Sequence, residues 1–216
     1  MAIDLNSFAQ VIYVDAINGD DSLGNGTKDK PYKTALKGAS STTVDDTLIY
    51  FKKGNYTLQN LASLINLQFK VTIFSEAVLN SKNLVTFDLQ NTVSNGFTVM
   101  TKLNTFIGIT FDGQNTAEYA TYSYENTAKD LKFVNCEFMN YTQYTISASS
   151  SAHVDSLIFE NCVLDGSQST LYAIYAKGTT NKIRVTGTEI KDYKEHGIKL
   201  SDAACVDALI VTNSLI

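Results

Sequence analysis

The chain has 216 residues, of which 44% are hydrophobic and 18% charged, and a formal net charge of -5 at pH 7. This length predicts one domain, and the single arginine, Arg184, excludes the basic stripe that nucleic-acid binding requires. No apolar run approaches the roughly 20 residues that span a bilayer. The first residues contain neither the basic nor the apolar region of a signal peptide.

The first 58 residues mix several kinds of local structure. Alternating apolar side chains predict a strand over 11–15, and a loop rich in turn residues follows over 18–27. A single helical turn is predicted over 35–39, and a further strand over 45–51. We therefore expect residues 1–58 to form an N-terminal cap and the first coil of the domain.

Oxygen-bearing side chains are concentrated in the first loop. Asp15, Asn18, Asp20 and Asp21 are candidate ligands for Ca²⁺, a cation that prefers carboxylate and carbonyl oxygens. Their spacing departs from the EF-hand loop, which needs a glutamate at its twelfth position. Turn formation is the stronger explanation of these residues, and Ca²⁺ binding is the alternative.

A 26-residue repeat dominates the second half of the chain. Each unit reads apolar-x-apolar-x-Asn-small-x-apolar, and its first part alternates as a strand with one buried face does. The four units cover 131–138, 157–164, 183–190 and 209–216. A fainter copy, 104–111, precedes them by 27 residues. A unit of this size cannot bury its apolar face alone, so each needs a neighbour stacked above or below it.

Stacking of the units places equivalent residues in columns. One expected internal column contains Phe133, Phe159, Val185 and Val211. The position where the alternation breaks contains Asn135, Asn161, Gly187 and Asn213. Asparagine and glycine tolerate left-handed backbone, so we expect the chain to bend there. Cys136 and Cys162 follow this position one coil apart, and we expect them to be buried free thiols. A further column, Tyr144, Tyr172 and His196, predicts a stack of rings at a corner.

The repeat length selects among repeat architectures. A leucine-rich repeat has its own leucine signature and a propeller blade needs about 40 residues, whereas a sandwich would not keep a constant register. The remaining fold is an all-β parallel β-helix with about 26 residues per coil. We expect residues 59–216 to form this helix and to leave it open at the C-terminal end.

The segment over 11–57 also carries a run of short motifs. They are YVD at 13–15, NGDD at 18–21, NGT at 25–27, PYKT at 31–34 and KGNY at 53–56. This run resembles the opening of proteins of the pectin lyase-like superfamily, in which the segment plugs the N-terminal end of a right-handed β-helix. The repeats over 104–216 fit the coil pattern of that family. Residues 58–103 fit it loosely, with coil strands expected over 71–74 and 97–100.

The resemblance leaves the activity open, because that superfamily contains lyases, hydrolases, epimerases, adhesins and viral spikes. Pro31 is the only proline and Arg184 the only arginine, so the arginine-proline segments of pectate lyases are absent. Asp112, Asp165 and Asp192 follow strand ends and are the candidate catalytic residues of a polysaccharide lyase or glycoside hydrolase. We expect Asp165 and Asp192 to lie on adjacent coils. Ordinary turn formation explains the same aspartates.

Aromatic residues supply a candidate glycan site. Tyr175 and Lys199 share an outward column, and Tyr141 and Tyr193 lie in the turn that follows the asparagine bend. We expect these four side chains to be exposed ligand-binding residues, because aromatic rings cover the apolar C–H faces of sugars.

The hypothesis favoured by these observations is a structural or host-attachment component of a bacteriophage virion, a tail or head fibre or spike that binds glycans. The missing lyase and hydrolase motifs, the missing signal peptide and an uncapped last coil support it. We expect a homo-oligomer, a homotrimer by the family resemblance, or other virion subunits to cover the C-terminal end. The rival functions are the polysaccharide-degrading enzyme and an extracellular or cell-surface adhesin.

Overall fold

The computed structural model describes residues 3–58, 69–76, 84–89, 104–123, 127–148, 153–201 and 205–216. Over these residues the chain is nearly all β, with one 3₁₀ turn at Leu5–Ser7 and one short helix, α1, at Ala35–Ser40. The strands in chain order are β1 Gln10–Val14, β2 Thr47–Phe51, β3 Gly54–Thr57, β4 Val71–Ser75, β5 Val85–Asp88, β6 Asn104–Ile107, β7 Ile109–Asp112, β8 Tyr119–Ser123, β9 Thr127–Val134, β10 Glu137–Met139, β11 Tyr144–Ala148, β12 His153–Glu160, β13 Val163–Asp165, β14 Tyr172–Ala176, β15 Thr179–Thr186, β16 Glu189–Lys191, β17 His196–Leu200 and β18 Cys205–Thr212.

These strands form three sheets that run along one solenoid axis. The long sheet has the order β1-β2-β4-β6-β9-β12-β15-β18, the middle sheet β3-β5-β7-β10-β13-β16 and the short sheet β8-β11-β14-β17. Neighbouring strands pair in parallel and come from successive coils, for example Leu131 with Leu157 and Leu157 with Ile183. The predicted parallel β-helix with about 26 residues per coil is confirmed.

Phenylalanine rings fill the interior in continuous columns. Phe106, Phe133 and Phe159 stack on the inner face of the long sheet with centroids 5.3 Å apart at each step. Phe111 and Phe138 stack opposite them at 4.8 Å, on the middle sheet. All five rings are fully buried. The predicted internal column is therefore confirmed for Phe133, Phe159 and Val185, whereas Val211, on the last coil, is 40% exposed. Ring stacking adds to the free energy of apolar burial.

From β6 onward, a single left-handed residue links each strand of the long sheet to the next strand of the middle sheet, and we call this position the bend. The bend residues and their φ angles are Gly108 (71°), Asn135 (52°), Asn161 (52°), Gly187 (59°) and Asn213 (50°). The amides of the first four donate to a carbonyl of the next coil, as Asn135 does to Glu160 and Asn161 to Thr186, at 2.9 Å. Left-handed backbone suits asparagine and glycine, so the predicted bend is confirmed.

The N-terminal cap closes the first coils. Helix α1 begins after Thr34, whose hydroxyl accepts from the Lys37 amide at 3.2 Å, and it buries Ala35 and Ala39. Its Gly38 lies so close to β1 that an added Cβ would be 2.6 Å from Val14 Cγ2. The helix therefore lies where the sequence predicts it. The boundary at residue 58 stays a prediction, and the strand expected over 97–100 lies outside the described residues.

The C-terminal coil leaves apolar side chains exposed. Leu209 is 46% exposed and Ile216 58%, whereas Phe133 and Phe159, in the middle coils, are fully buried. Among the described residues, no helix has the length and apolarity needed to cross a membrane.

Candidate functional site

The segment that links the middle sheet to the short sheet, which we call the corner, alternates between two forms. In one form an aspartate-glycine pair precedes two left-handed residues, as at Gln114–Asn115 and Ser167–Gln168. In the other, a single left-handed residue, Asn140 or Asp192, precedes a tyrosine. The forms pack on each other, because a Cβ at Gly113 would lie only 2.5 Å from the Asn140 carbonyl oxygen of the next coil.

One column of side chains lies at the start of the corner, where the strands of the middle sheet end. Its members by register are Thr57, Asp88, Asp112, Met139, Asp165 and Lys191. Parallel strands lie about 4.8 Å apart, so neighbours in this column are within reach of each other. The column holds two of the three predicted catalytic aspartates.

The pair predicted between Asp165 and Asp192 has a different geometry. The register partner of Asp165 is Lys191, whose Nζ lies 3.9 Å from Asp165 Oδ2. Asp165 Oδ1 accepts from the Ser167 amide at 2.7 Å, which closes its own turn. Asp192 is one of the left-handed residues, and its carbonyl accepts from the Gln168 amide at 2.8 Å. Asp165 is therefore held by a lysine and by its turn.

Asp112 instead has a carboxylate neighbour that the sequence analysis missed. Asp88 is its register partner on the preceding coil. Gln114 joins them, since its amide N–H donates to Asp112 Oδ1 at 2.9 Å and its Nε2 to Asp88 Oδ1 at 3.2 Å. Asn140 Nδ2 adds a third donor to Asp112 Oδ1, at 2.8 Å. A shared motif could have revealed the pair, because VTFD at 85–88 repeats as ITFD at 109–112.

The two carboxyls of this pair differ electrostatically. Burial and then the charge of Asp112 raise the pKa of Asp88, and the hydrogen bond from Gln114 only partly opposes them. Asp112 accepts hydrogen bonds from the Gln114 amide and from Asn140 Nδ2. The pair therefore places a carboxyl whose pKa is raised beside a carboxyl that accepts two hydrogen bonds.

The prediction that Tyr141 is an exposed ligand-binding residue is wrong. Tyr141 is fully buried beneath the next coil, where the Thr170 hydroxyl donates to its carbonyl at 2.6 Å. Tyr193, its counterpart one period later, is half-buried, and its hydroxyl bonds to Thr145 Oγ1 at 2.7 Å. Burial raises the pKa of both tyrosines well above the ordinary value. Both rings fill the inside of the corner.

The end of the corner carries an ordered stack of three half-buried tyrosines and one exposed histidine, which we call the ladder. It consists of Tyr119, Tyr144, Tyr172 and His196, with centroid separations of 5.5, 5.4 and 5.9 Å. The ring planes of Tyr144 and Tyr172 differ by 10°. The stack predicted from Tyr144, Tyr172 and His196 is confirmed, and Tyr119 extends it by one coil.

Charged groups and a fifth ring border the ladder. Tyr175 packs against Tyr144 and Tyr172 with centroids 4.8 and 5.1 Å apart, and Lys177 Nζ lies 4.8 Å over its ring. The Tyr172 hydroxyl donates to Glu195, which raises the pKa of Tyr172 to about 12. Lys199 is the register partner of Tyr175 on the next coil. The structure thus brings two predicted ligand-binding residues together, Tyr175 and Lys199.

Three of the four candidate Ca²⁺ ligands have carboxylates, which bond to groups of the N-terminal cap and to Lys52, and the fourth, Asn18, donates its Nδ2 to Asp15 Oδ2 at 3.2 Å. Asp15 is buried, accepts from the Ile17 and Asn18 amides at 2.9 Å and pairs with Lys52 at 3.3 Å. Asp20 accepts from the Ser22 and Leu23 amides. These bonds lower the pKa of Asp20, and at Asp15 they outweigh the opposing effect of burial.

Asp21 holds the residues that lead into helix α1. Its carboxylate accepts from the Lys33 and Thr34 amides at 2.7 and 3.0 Å and from the Thr34 hydroxyl at 2.6 Å. Across the part of the chain that the structure describes, no three histidine, cysteine, aspartate or glutamate side chains lie together as a metal-binding group. The loop oxygens therefore form turns, and a Ca²⁺ ion there would have to displace these bonds.

Comparison with known proteins places the fold. No family model matches the chain, and no curated protein matches it significantly. A solved structure titled rhamnogalacturonan lyase matches with a TM-score of 0.57 and 14% identity, over 96% of this chain and 62% of that one. The chain thus spans less than two thirds of that lyase. The match agrees with the parallel β-helix described above, and an identity of 14% shows a likeness of fold alone.

Proposed function

We propose that the chain binds a polysaccharide along the ladder and the short sheet. The observation that carries the proposal is the ladder, three half-buried tyrosines and one exposed histidine, bordered by Tyr175, Lys177, Glu195 and Lys199. The rings cover one another's faces, so a sugar contacts their edges and hydroxyls and the tilted ring of Tyr175. The charged side chains supply directional contacts to hydroxyl or carboxylate groups of the glycan.

The comparison supports this proposal at the level of the fold. The matching solved structure is named for an enzyme that acts on a polysaccharide. A β-helix also repeats its surface at each coil, so it can offer equivalent contacts to successive units of a polymer. These considerations favour a long ligand over an isolated small molecule.

Glycan arrays followed by calorimetry on the best ligand test the proposal. We expect Tyr175→Ala and Lys199→Ala each to weaken binding at least about tenfold, which corresponds to about 1.4 kcal/mol. Lys28→Ala is the matched control, because Lys28 is an exposed lysine of the N-terminal loop. Binding that Lys28→Ala weakens as much as Lys199→Ala would reflect net charge and would contradict the proposal.

We extend this proposal to the assembly: the chain would be a component of a virion and would form a homotrimer. A host-attachment fibre uses a rigid solenoid to hold a glycan site away from the particle. Light scattering on the purified chain tests the assembly. A trimer mass supports it, and a monomer at all concentrations contradicts it.

A second candidate function is glycoside hydrolysis, and the Asp88–Asp112 pair specifically favours it. Retaining glycosidases hold two carboxyls about 5–5.5 Å apart, close to the spacing of adjacent coils. Asp88 would donate its proton to the glycosidic oxygen while Asp112 attacks the anomeric carbon. Asp88 as the base would then activate water to release the sugar from Asp112.

Release of new reducing ends from neutral and acidic polysaccharides tests this second function. We expect Asp88→Asn and Asp112→Asn to abolish it and Asp29→Asn, at an exposed loop position, to leave it unchanged. Loss in Asp165→Asn with retention in Asp88→Asn would move the chemistry to the aspartate that pairs with Lys191 and would reject the Asp88–Asp112 pair.

A further inference from the structure

Two buried thiols lie one above the other directly after the bend. Cys136 and Cys162 are each 2% exposed, and both are free. Their coils are joined at this level by the hydrogen bond from the Val163 amide to the Cys136 carbonyl, at 2.9 Å. The proposed glycan and hydrolytic functions use neither thiol.

The two sulfurs are related by one coil of the solenoid. Cys136 Sγ donates to the carbonyls of Phe106 and Val134, each at 3.5 Å, and Cys162 Sγ to those of Phe133 and Glu160 at the same distance. Phe106 pairs in register with Phe133, and Val134 with Glu160. Because both thiols make equivalent bonds to equivalent coils, their sulfurs are separated by about the coil spacing, roughly 4.8 Å.

This separation suits a metal ion held between the thiols. Both thiols are free, and side chains stacked in parallel in one column keep the sulfurs well apart from the about 2.05 Å of a disulfide bond. Two metal–thiolate bonds of about 2.3 Å placed end to end nearly span the gap. Soft thiolates select Cu(I) among common biological cations. We propose that Cys136 and Cys162 bind one Cu(I) ion between adjacent coils, with both sulfurs in line on the metal.

The surroundings favour a two-coordinate cation. A zinc ion takes four ligands, and within the described ranges no third histidine, cysteine or carboxylate lies with the two thiols as a metal-binding group. The column continues as Thr188 and Ser214, whose hydroxyls are poor ligands for a soft cation. Each thiol loses its proton when the copper binds.

Serine variants test the site without disturbing the fold. Ser214 Oγ already bonds to the carbonyls of Val185 and Thr212 in this column, as the thiols do to theirs. Cys136→Ser and Cys162→Ser are therefore expected to fold and to melt close to the wild-type temperature. Cys205→Ser is the matched control, because Cys205 pairs with Thr179 on another position of the coil.

The full chain is titrated anaerobically with Cu(I) held by bicinchoninate, and the fall in the absorbance of that complex is followed until it is constant. We expect one Cu(I) per chain in the wild type and in Cys205→Ser, and at least about a 100-fold weaker affinity in each of the other two variants. No uptake by the wild type, or equal uptake by Cys136→Ser, overturns the proposal. Loss of uptake in Cys205→Ser overturns it as well, because the copper would then lie elsewhere.

Discussion

The bend and the corner change the direction of the same chain in each coil, but they do so in different ways. The bend uses one left-handed residue each time, and its members Asn135, Asn161, Gly187 and Asn213 follow at 26-residue steps. The corner varies in length, so the ladder residues Tyr144, Tyr172 and His196 follow at steps of 28 and then 24. Strand pairing stays parallel and in register on both sides of each corner.

This difference separates the residues that specify the fold from those that carry chemistry. A constant bend keeps the phenylalanine columns aligned, because a slip of one residue would turn buried side chains outward. The corner tolerates two forms, since the next coil compensates for its length. The aspartates, the ladder and the charged side chains around it all lie at or beside the corner. The variable turn is therefore where binding and catalytic groups can change without loss of the solenoid.

The largest effect is expected in the column that the bend aligns. Phe133 lies 5.3 Å from Phe106 and Phe159 and 5.0 Å from Phe138. Phe133→Ala is expected to lower the free energy of unfolding by about 3–5 kcal/mol, since the solenoid cannot collapse around the void. Urea unfolding followed by circular dichroism measures it. Phe133→Leu should cost less than about 1.5 kcal/mol, and equal losses in the two variants would argue against a continuous ring column.

A smaller loss is expected where the two forms of corner pack together. In Gly113→Ala the new methyl group would meet the Asn140 carbonyl oxygen at 2.5 Å and the buried Tyr141 ring at 2.7 Å. We expect this overpacking to cost about 2–3 kcal/mol by the same unfolding measurement. Gly166→Ala is the matched variant and should cost a similar amount, because its methyl group would meet the Asp192 carbonyl oxygen at 2.6 Å and Tyr193 Cα at 2.9 Å. A loss in only one of the two variants would contradict this account of the corner.

Most of the fold could be predicted because it depends on a local sequence pattern that repeats along the chain. The alternation of Leu131 and Phe133 defines the buried face, and Asn135 marks the bend by the backbone conformation it tolerates. The failed orientations, Tyr141 and Tyr193, lie in the corner, where burial depends on the length of the next coil. Sequence periodicity gives no information about what another coil covers.

The candidate site was harder to predict, because it depends on which corner residues meet. Asp165 was expected beside Asp192, but a shift of one residue at the turn puts Lys191 there. Asp88 belongs to a stretch where the repeat is faint, so its column with Asp112 was not apparent. The ladder was easier, since Tyr144 and Tyr172 keep their place in a regular strand.

The bend offers a test that separates backbone conformation from side-chain volume. Gly187→Val places a β-branched residue at a φ of 59° and should cost about 1–2 kcal/mol in thermal or urea unfolding. Gly187→Asn should cost less than about 0.5 kcal/mol, because Asn135, Asn161 and Asn213 adopt the same conformation in this column. If valine and asparagine cost the same, contact with Asn161 Oδ1 rather than φ determines the choice of residue.

The smallest change in the free energy of unfolding is expected at the corner, and there the variant should be more stable than the wild type. Since burial and the charge of Asp112 raise the pKa of Asp88, the native state binds that proton more tightly than the unfolded chain does. This contribution to stability is therefore present in acid and is lost as the pH rises through the pKa of Asp88. Asp88→Asn removes the repulsion and keeps an acceptor for Gln114, so at pH 7 it should raise the free energy of unfolding by about 0.5 kcal/mol. The gain should vanish below pH 3.8, the ordinary pKa of an aspartate, where Asp88 is protonated in both states. Urea unfolding at the two pH values measures this gain in stability, with Asp29→Asn as the control.

A variant that is more stable at pH 7 but no longer releases reducing ends would show that the corner retains an unfavourable charge for its chemistry. A variant that is less stable at pH 7 would show instead that Asp88 is a structural acceptor.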